Sequence, residues 1–428
     1  MSKLNTKNIE FIDLKYVDLI GKLRHLTFPK SNWENVRNFG GGFDSSSLKG
    51  FKKTEKSDMV LMPDERNSFI DPFYDNKTLS VFAKIYYSDK IKRYERDPRY
   101  ILEKAITLVK SELKADKVLF LPELEFYIFT KVKITNTPHN FGVHLSSEEK
   151  EAVITGAYHQ APPTDLYSSH RNHLVRMFQD AGIDVKYHHH EGGEFGQSEI
   201  ETMFADGLKT ADNVIISKYI IRNYFHRQNK VATFMPKPLI NKHGSGMHYH
   251  HILERQRKSL FKGKNGRLST IGENYVNGIL SHLAALCAFT NPTTNSYRRL
   301  TGGFETPKTA SIGVADRTSA IRIPGYAKER TPIEYRVGDA MANPYFALAA
   351  LLLAGLDGVR NKGKLKPGKV PSSLNSAVYA LEKDRQFLTL DNIFPLELID
   401  FWTETKSREE QEIFKTPNPL EYLYYFDL

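Results

Sequence analysis

The chain has 428 residues, of which 40% are hydrophobic and 26% charged, so it is long enough for two or three globular domains. Its net charge of +10 comes from lysines and arginines scattered along the chain, and we therefore expect no nucleic-acid partner. Cys287 is the single cysteine, which excludes an intrachain disulfide framework and a cysteine-based zinc site. The amino terminus lacks an apolar signal core and no run of 18 apolar residues occurs, so we expect a cytoplasmic protein with no membrane partner.

The first part of the chain, residues 1–96, is predicted to be rich in strands. Its pattern indicates, in chain order, a hairpin over residues 9–28 that turns at Gly21, a glycine-led loop from Gly40 that holds Asp44 and three serines, and a block of strands from Met59 to Tyr87. The segment Arg96-Asp97-Pro98 then predicts the cap of a helix, and we place a domain boundary there.

The second part, residues 97–428, is predicted to be mixed, which makes the whole chain an α+β protein. The elements expected in chain order are a helix over 100–113, a strand over 118–129, a helix over 165–181, strands over 185–202, a helix over 208–228, strands over 231–254, a helix over 270–290, strands over 310–337 and a buried helix over 343–359. Residues 361–369 are predicted to form a solvated linker, after which Ser372 or Ser373 caps a last helical region.

Two glutamates, Glu123 and Glu125, interrupt the most apolar of the predicted strands. Side chains two residues apart share one face of a strand, so both carboxylates are expected to point the same way. Buried like charges are costly unless they are neutralised. The pair therefore indicates that a cation lies beside this strand.

Further carboxylates flank a glycine-rich turn. Glu191 and Glu199 lie on either side of residues 192–196, and a tight reversal there would bring them together. Glu201 follows two residues later and is interpreted as a surface residue. The run His188-His189-His190 is either a metal cluster or a set of hydrogen-bonded histidines beside a strand.

A second dense cluster covers residues 242–251. Its Gly244-Ser245-Gly246 turn exposes backbone N–H groups, which suits anion binding, and His248 and His250 then share one strand face. Without cysteine, a carboxylate-rich site favours Mg²⁺ or Mn²⁺ over zinc. The ligands that we expect for such a site are Glu123, Glu125, Glu191, Glu199 and His248.

Arginines form a third set, which suits carboxylate and phosphate substrates. Its members are Arg298, Arg299, Arg317, Arg322, Arg330 and Arg336. Glu334 and Arg336 are two apart on a predicted strand, so one can serve a metal and the other a substrate. The chemistry of these residues favours metal-dependent phosphoryl transfer, with a metallohydrolase as the alternative.

These segments, in this order, resemble type I glutamine synthetases along nearly the whole chain. The segments that carry the resemblance are Phe43 to Ser47, Ser57 to Asp64, Pro122 to Phe126, His189 to Glu191, Gly196 to Glu199, Thr233 to Pro238, Gly244 to His248, Asn295 to Leu300, Gly303 to Pro307, Ile321 to Pro324, Asn343 to Tyr345 and Ala354 to Gly358. The resemblance implies an amino-terminal β-grasp domain and a catalytic domain with an antiparallel sheet surrounded by helices. It also implies a dodecamer of two hexameric rings, with each active site between neighbouring subunits.

The implied activity is the ATP-dependent ligation of ammonia to the γ-carboxylate of glutamate through γ-glutamyl phosphate. By position, one Mg²⁺ or Mn²⁺ would be held by Glu125, Glu191 and Glu199, and a second by Glu123, His248 and Glu334. Substrate contacts would come from Gly244, His248, Arg299, Arg336 and Tyr158, and nucleotide contacts from His250, Arg322 and Arg330. The implied catalytic residues are Arg317 at the phosphoryl group, Glu305 on a closing flap, and Asp44, which would reach in from the neighbouring subunit to bind ammonium.

The chain departs from the pattern of the family mainly on the nucleotide and amino-acid sides. The departures are His243 for Asn, Lys186 for Glu, Ile252 for Ser, Ile312 for an aromatic residue and Ser45 for Gly. They keep open a γ-glutamyl ligase that uses an amine or polyamine. A catalytically weak or structural relative is a further alternative, and the metallohydrolase is the alternative from the chemistry of the residues alone.

Overall fold

The amino-terminal part of the chain folds into one five-stranded sheet with a short helix. The computed structural model describes residues 8–51, 54–151, 156–303, 306–327, 329–364 and 366–425. The first elements are β1 (Phe11–Val17), β2 (Leu23–Pro29), α1 (Trp33–Phe39), β3 (Gly41–Asp44), β4 (Asp58–Asp71) and β5 (Thr78–Tyr87). The strand order is β2-β1-β5-β4-β3, with β1 and β5 parallel and the other pairs antiparallel.

The predicted hairpin is confirmed, because β1 pairs with β2 and Gly21 turns between them at φ +88°. The prediction of a loop after Gly40 is wrong in part. Residues 41–44 pair with β4 and extend the sheet by one short strand, which ends at Asp44. Four residues with two glycines carry too weak a pattern to reveal a strand.

The second part of the chain alternates helices with strands. Its elements are α2 (Pro98–Leu113), β6 (Lys117–Phe129), β7 (Lys131–Thr137), β8 (Asn140–Ser146), α3 (Ser168–Asp180), β9 (Val185–His190), β10 (Gln197–Thr202), β11 (Ala205–Asp206), α4 (Gly207–Arg227), β12 (Val231–Thr233), β13 (Met247–Arg255), β14 (Lys258–Ser259), α5 (Thr270–Ser281), α6 (Leu283–Thr290), α7 (Thr294–Thr301), β15 (Thr309–Val314), β16 (Ser319–Ile323), β17 (Ile333–Tyr335), α8 (Pro344–Arg360), α9 (Leu374–Lys383), α10 (Leu396–Phe414) and α11 (Pro419–Tyr425).

One ten-stranded, largely antiparallel sheet forms the centre of this part. Its main path is β15-β16-β17-β13-β6-β10-β9, while β11 and β12 also pair with β6 and β14 pairs with β13. β7 and β8 form a separate hairpin. The strands that carry the predicted ligands, β9, β10, β6, β13 and β17, are therefore consecutive neighbours across the sheet.

The helices begin where the sequence supplies caps. Asp97 caps α2 with its carboxylate on the N–H of Arg99 (3.1 Å), and Asn343 caps the almost wholly buried α8 through the N–H of Tyr345 (3.1 Å). Ser373, one of the two predicted caps, caps α9. No helix in the described part of the chain is long and apolar enough to cross a membrane.

The helix predicted over 270–290 is two helices, α5 and α6, which meet at His282. The ring of His282 is held from two sides, by Asp384 at Nδ1 (2.7 Å) and by Asp357 at Nε2 (3.0 Å). Both carboxylates lie far along the chain, on α8 and at the end of α9. The break therefore coincides with tertiary contacts that a helical period does not reveal.

Candidate active site

The register of the central sheet brings glutamates of two strands and a histidine of a third together. Glu199 on β10 lies opposite Glu125 on β6. Two positions further along β10, on the same face of the sheet, Glu201 lies opposite Glu123. On the other side of β6, His248 on β13 lies opposite Glu123. Antiparallel register thus gathers side chains that lie up to 125 residues apart in the chain.

A first cluster consists of Glu125, Glu191 and Glu199, whose carboxylate oxygens include one set within 4.8 Å of one another. The glycine-rich turn brings Glu191 into place, because Phe195 and Gly196 adopt positive φ values of 66° and 88°. The Glu191 N–H then donates to the carbonyl of Gln197 (3.0 Å). The predicted reversal between the two glutamates is confirmed.

This cluster has more negative charge than its surroundings neutralise. Burial, together with the carboxylates of Glu125 and Glu199, raises the pKa of Glu191 to about 9. Burial and four neighbouring glutamates raise the pKa of Glu199 well above its usual value. Three convergent carboxylate oxygens in a buried site are the donors that Mg²⁺ and Mn²⁺ prefer, so the residues fit a divalent cation.

A second cluster consists of Glu123, His248 and Glu334. His248 Nδ1 lies 2.8 Å from Glu123 Oε2, and the fully buried Glu334 accepts hydrogen bonds from Arg322 and from Arg336, the latter at 2.7 Å. Burial tends to raise the pKa of Glu123, but the imidazoles of His248 and His250 hold it well below its usual value. An imidazole nitrogen beside two carboxylates again offers donors that fit a divalent cation.

Glu201 was expected on the surface, and this expectation is wrong. Its side chain is fully buried, because β10 is covered on both faces. It forms a third group with Glu123 and His250, and its Oε1 lies 2.8 Å from Nζ of Lys186. Its place two residues after Glu199, on the same strand face, was the signal that could have revealed it.

The cavity next to these clusters is lined by most of the predicted substrate residues. They include Tyr158, Gly244, Arg299, Arg317, Arg322 and Arg336. Arg299 is buried and donates to the carbonyl of Val337 (2.8 Å), which fixes its guanidinium near His248 (3.3 Å). A Cβ at Gly244 would lie 2.6 Å from the Pro236 carbonyl oxygen, so this position requires glycine.

Other predicted residues lie outside this lining. His250 is buried behind Glu123, with Nε2 at 2.8 Å from Oε1. Arg330 pairs with Glu254 and covers the ring of Phe204, and Arg298 faces a separate groove beside α10. Glu305 lies outside the described residues.

The histidine run lies beside a strand, and none of its three members belongs to a ligand group among the described residues. His188 Nε2 lies 2.9 Å from Asn172 Oδ1, and His190 Nε2 lies 2.9 Å from Glu149. Both therefore serve as hydrogen-bonded histidines beside a strand. His189 alone faces the cavity, 3.3 Å from Glu199.

Asp44 is exposed at the end of β3 and does not line the cavity of its own chain. Hydrogen bonds from the hydroxyl and N–H of Ser46, with help from Ser47, lower the pKa of Asp44 to about 2. Its carboxylate is therefore charged at neutral pH and is held in a fixed direction by the serines that follow it.

The residues that depart from the family pattern lie both in the cavity and away from it. His243 lines the cavity, and a Cβ added at Gly192 would lie 3.2 Å from its ring. Ile252 is fully buried, whereas Ile312 is 43% exposed on β15. Ser45 is buried and donates its hydroxyl to the carbonyl of Ser57 (2.7 Å), which anchors the segment beside Asp44.

Comparisons with known proteins agree with this geometry. The family model described as glutamine synthetase, catalytic domain, matches residues 95–425, and the one described as glutamine synthetase, beta-Grasp domain, matches residues 8–88. The chain is 38% identical to a glutamine synthetase of Frankia alni (99% of this chain, 98% of the relative) and 36% identical to that of Salmonella typhimurium (100% and 99%). A solved structure of Plasmodium falciparum glutamine synthetase superposes with a TM-score of 0.92 at 28% identity, covering 99% of this chain and 97% of that one.

Proposed function

The chain belongs to the glutamine synthetase family, and from this premise we propose how its own residues join ammonia to glutamate. It is an ATP-dependent glutamate–ammonia ligase with an α+β fold, and its family implies a divalent metal and an oligomeric assembly. The proposal concerns the roles of individual residues, the number of metal ions and the form of the assembly.

Two divalent cations, Mg²⁺ or Mn²⁺, are proposed for each active site. One would be held by Glu125, Glu191 and Glu199, and the other by Glu123, His248 and Glu334. When bound, they neutralise charge on phosphate oxygens, as paired metals do in phosphoryl transfer. The observation that carries this proposal is the pair of ligand clusters that share strand β6, both of which have members in the lining of one arginine-containing cavity.

The arginines of the cavity are proposed to hold the two anionic substrates. Arg299 and Arg336, with Gly244 and His248, would orient glutamate so that its γ-carboxylate oxygen faces the γ-phosphorus of ATP. Attack there forms γ-glutamyl phosphate and releases ADP. Arg317, Arg322, Arg330 and His250 would bind the nucleotide phosphates and stabilise the charge that develops on the transferred group.

Ammonia then displaces phosphate from the γ-carbonyl carbon. Asp44 of a neighbouring subunit, beside Tyr158, is proposed to bind ammonium and to accept its proton, while Glu305 shields the intermediate from water. This arrangement needs active sites between subunits, so we propose a dodecamer of two hexameric rings. The division into a β-grasp domain (residues 1–96) and a catalytic domain (residues 97–428) is part of the same proposal.

The activity is tested by phosphate release from ATP in the presence of Mg²⁺ and glutamate. We expect release to depend on ammonium and to be much slower with methylamine, ethanolamine or putrescine. Release that no amine accelerates, or that putrescine accelerates more than ammonium does, would contradict ammonia as the acceptor.

Two variants assign the reaction to this cavity. Glu125→Gln removes a carboxylate of the first cluster, so we expect ammonium-dependent release to fall to background. Glu148→Gln removes an exposed carboxylate that pairs with Lys230, and should leave the rate unchanged.

A further inference from the structure

Lys186 approaches the proposed metal centre from the solvent edge of the sheet. The pairing of β9 with β10 is irregular at this point, since Glu201 lies opposite Tyr187 and Thr202 lies opposite Val185, which leaves Lys186 as the extra residue. Such a bulge redirects a side chain. The Lys186 side chain is 34% exposed, and its ammonium lies 2.8 Å from Glu201 Oε1 and 4.8 Å from the centre of the Tyr187 ring.

The partner of Lys186 is a carboxylate that needs a positive charge. Glu201 is fully buried between β6 and β9, and a buried carboxylate without a cation is strongly unfavourable. Glu201 also has a carboxylate oxygen within 4.8 Å of donor atoms on Glu123 and His250, which is the spacing of a metal site. This third group of ligands shares Glu123 with the second cluster.

A metal ion and the Lys186 ammonium would therefore do the same thing, which is to neutralise the buried carboxylate of Glu201. The ammonium is tied to the chain and held by the bulge and by the Tyr187 ring, so it is present without any ion in solution. A divalent ion could bind this carboxylate only by displacing the Lys186 ammonium, whose local concentration beside Glu201 is high because it belongs to the same chain.

We propose that Lys186 is a built-in cation of the active site, which takes the place of a third metal ion beside Glu123, Glu201 and His250. The inference rests on the two-cation centre proposed above. In this arrangement Lys186 acts through Glu201 and is a positioning residue, which keeps Glu201 neutralised and leaves Glu123 to the second cation. Removing the ammonium should then turn the third group into a metal site.

The test counts Mn²⁺ ions bound to the full-length protein, by electron paramagnetic resonance of the free ion during titration. We expect the variant Lys186→Met to bind one ion more per chain than the unaltered protein. The double variant Lys186→Met/Glu201→Gln lacks the carboxylate that needs the ion, and should return to the original number.

Lys110→Met is the matched control, because Lys110 is 33% exposed and pairs with Asp206 away from the cavity (3.5 Å). Its ion count should not change. An equal count for Lys186→Met and the unaltered chain would overturn the proposal. Fewer than two ions in the unaltered chain would instead contradict the two-cation centre, while the difference between the two proteins still decides the role of Lys186.

Thermal unfolding keeps the test decisive if the variant is unstable. Lys186→Met leaves Glu201 buried and unpaired, so its Tm should rise with Mn²⁺ more steeply than that of the unaltered chain. A variant that stays unfolded at saturating Mn²⁺, while the double variant folds, would overturn the proposal, because a bound ion should replace the missing charge.

Discussion

Two glutamates of the central sheet show how the surroundings of a residue decide whether it stabilises the fold. Glu199 and Glu254 are each 6% exposed on strands of this sheet. Glu254 has a cationic partner in Arg330, whereas Glu199 faces the carboxylates of the ligand clusters. The cluster around Glu199 therefore holds electrostatic strain that a bound cation would relieve, in keeping with the trade between stability and function.

The first prediction concerns Glu199→Gln, which removes this charge while keeping the shape. The pKa of Glu199 in the folded protein lies well above its value of 4.5 in the unfolded chain, so the native state loses stability as the pH rises above 4.5. Without divalent cations at neutral pH, the variant should be more stable to urea by about 1–3 kcal/mol. Because the variant has lost a ligand of the first cluster, added Mn²⁺ should raise its free energy of unfolding far less than that of the unaltered chain.

Glu254→Gln is the control for this prediction, because it removes an equally buried carboxylate that has a partner. We expect it to lower the free energy of unfolding, since Arg330 loses its ion pair. If both variants lost stability in the absence of metal, the clustered carboxylates would not be a source of strain.

At the residue scale, the sequence predicts site residues where two side chains share one face of a single strand. Glu123 and Glu125 are both buried and both belong to ligand clusters, as their spacing on an apolar strand suggested. Glu201 was missed although it shares a strand face with Glu199, because that spacing was not applied to it. The Lys186 pair was hidden, since a bulge depends on the register of two strands.

At the scale of elements, the order of helices and strands could be predicted largely from hydrophobic period and caps, but their interruptions could not. The hairpin of β7 and β8 has mostly exposed residues, so it lacks the alternation that marks a strand. The junction of α5 and α6 depends on contacts of His282 with residues 75 and 102 positions away. His282 also stacks on Phe387 at 4.1 Å, so this one ring joins four segments.

The second prediction concerns the stability that this junction provides. Burial opposes protonation of His282, but hydrogen bonds and charge from Asp357 and Asp384 prevail and raise its pKa from 6.5 to about 9. Its contribution, about 3 kcal/mol, is fully present below pH 6.5 and is lost as the pH rises through 9. His282→Asn should therefore reduce the free energy of unfolding at pH 6 by about this amount, and urea unfolding between pH 6 and pH 10 measures it.

The difference between His282→Asn and the unaltered chain should shrink towards pH 10, because the unaltered imidazole is then neutral. His226→Asn changes an exposed histidine near the end of α4 and should leave the curve unchanged. A stability loss in His282→Asn that is the same at every pH would show that packing against Phe387, and not the ion pairs, holds the junction.

At the scale of the whole molecule, a buried ion pair fixes the first sheet against the second part of the chain. Arg99 on α2 is almost fully buried and donates to both oxygens of Asp212 on α4, at 2.9 and 2.8 Å. It also lies 3.4 Å from Asp64 on β4. The first sheet thus has a defined position, and the exposed Asp44 at its edge does not line the cavity of its own chain.

The last prediction is that two variants, each inactive by itself, regain activity when their subunits assemble into the same ring. Asp44→Asn should inactivate the site of the neighbouring subunit, whereas Glu125→Gln should inactivate the site of its own chain. In randomly mixed rings about a quarter of the sites would have Asp44 from one subunit and Glu125 from the other. Co-expression of the two variants should therefore recover about a quarter of the ammonium-dependent phosphate release, whereas rings mixed after assembly should stay inactive.

The pair Glu125→Gln and Arg336→Ala is the control, because both residues belong to one cavity and every site of a mixed ring would lack one of them. This pair should recover nothing. Recovery by neither pair would mean that Asp44 does not act across a subunit boundary. Recovery by the Asp44 pair alone would assign the ammonium site to the neighbour, because Asp44 does not line the cavity of its own chain.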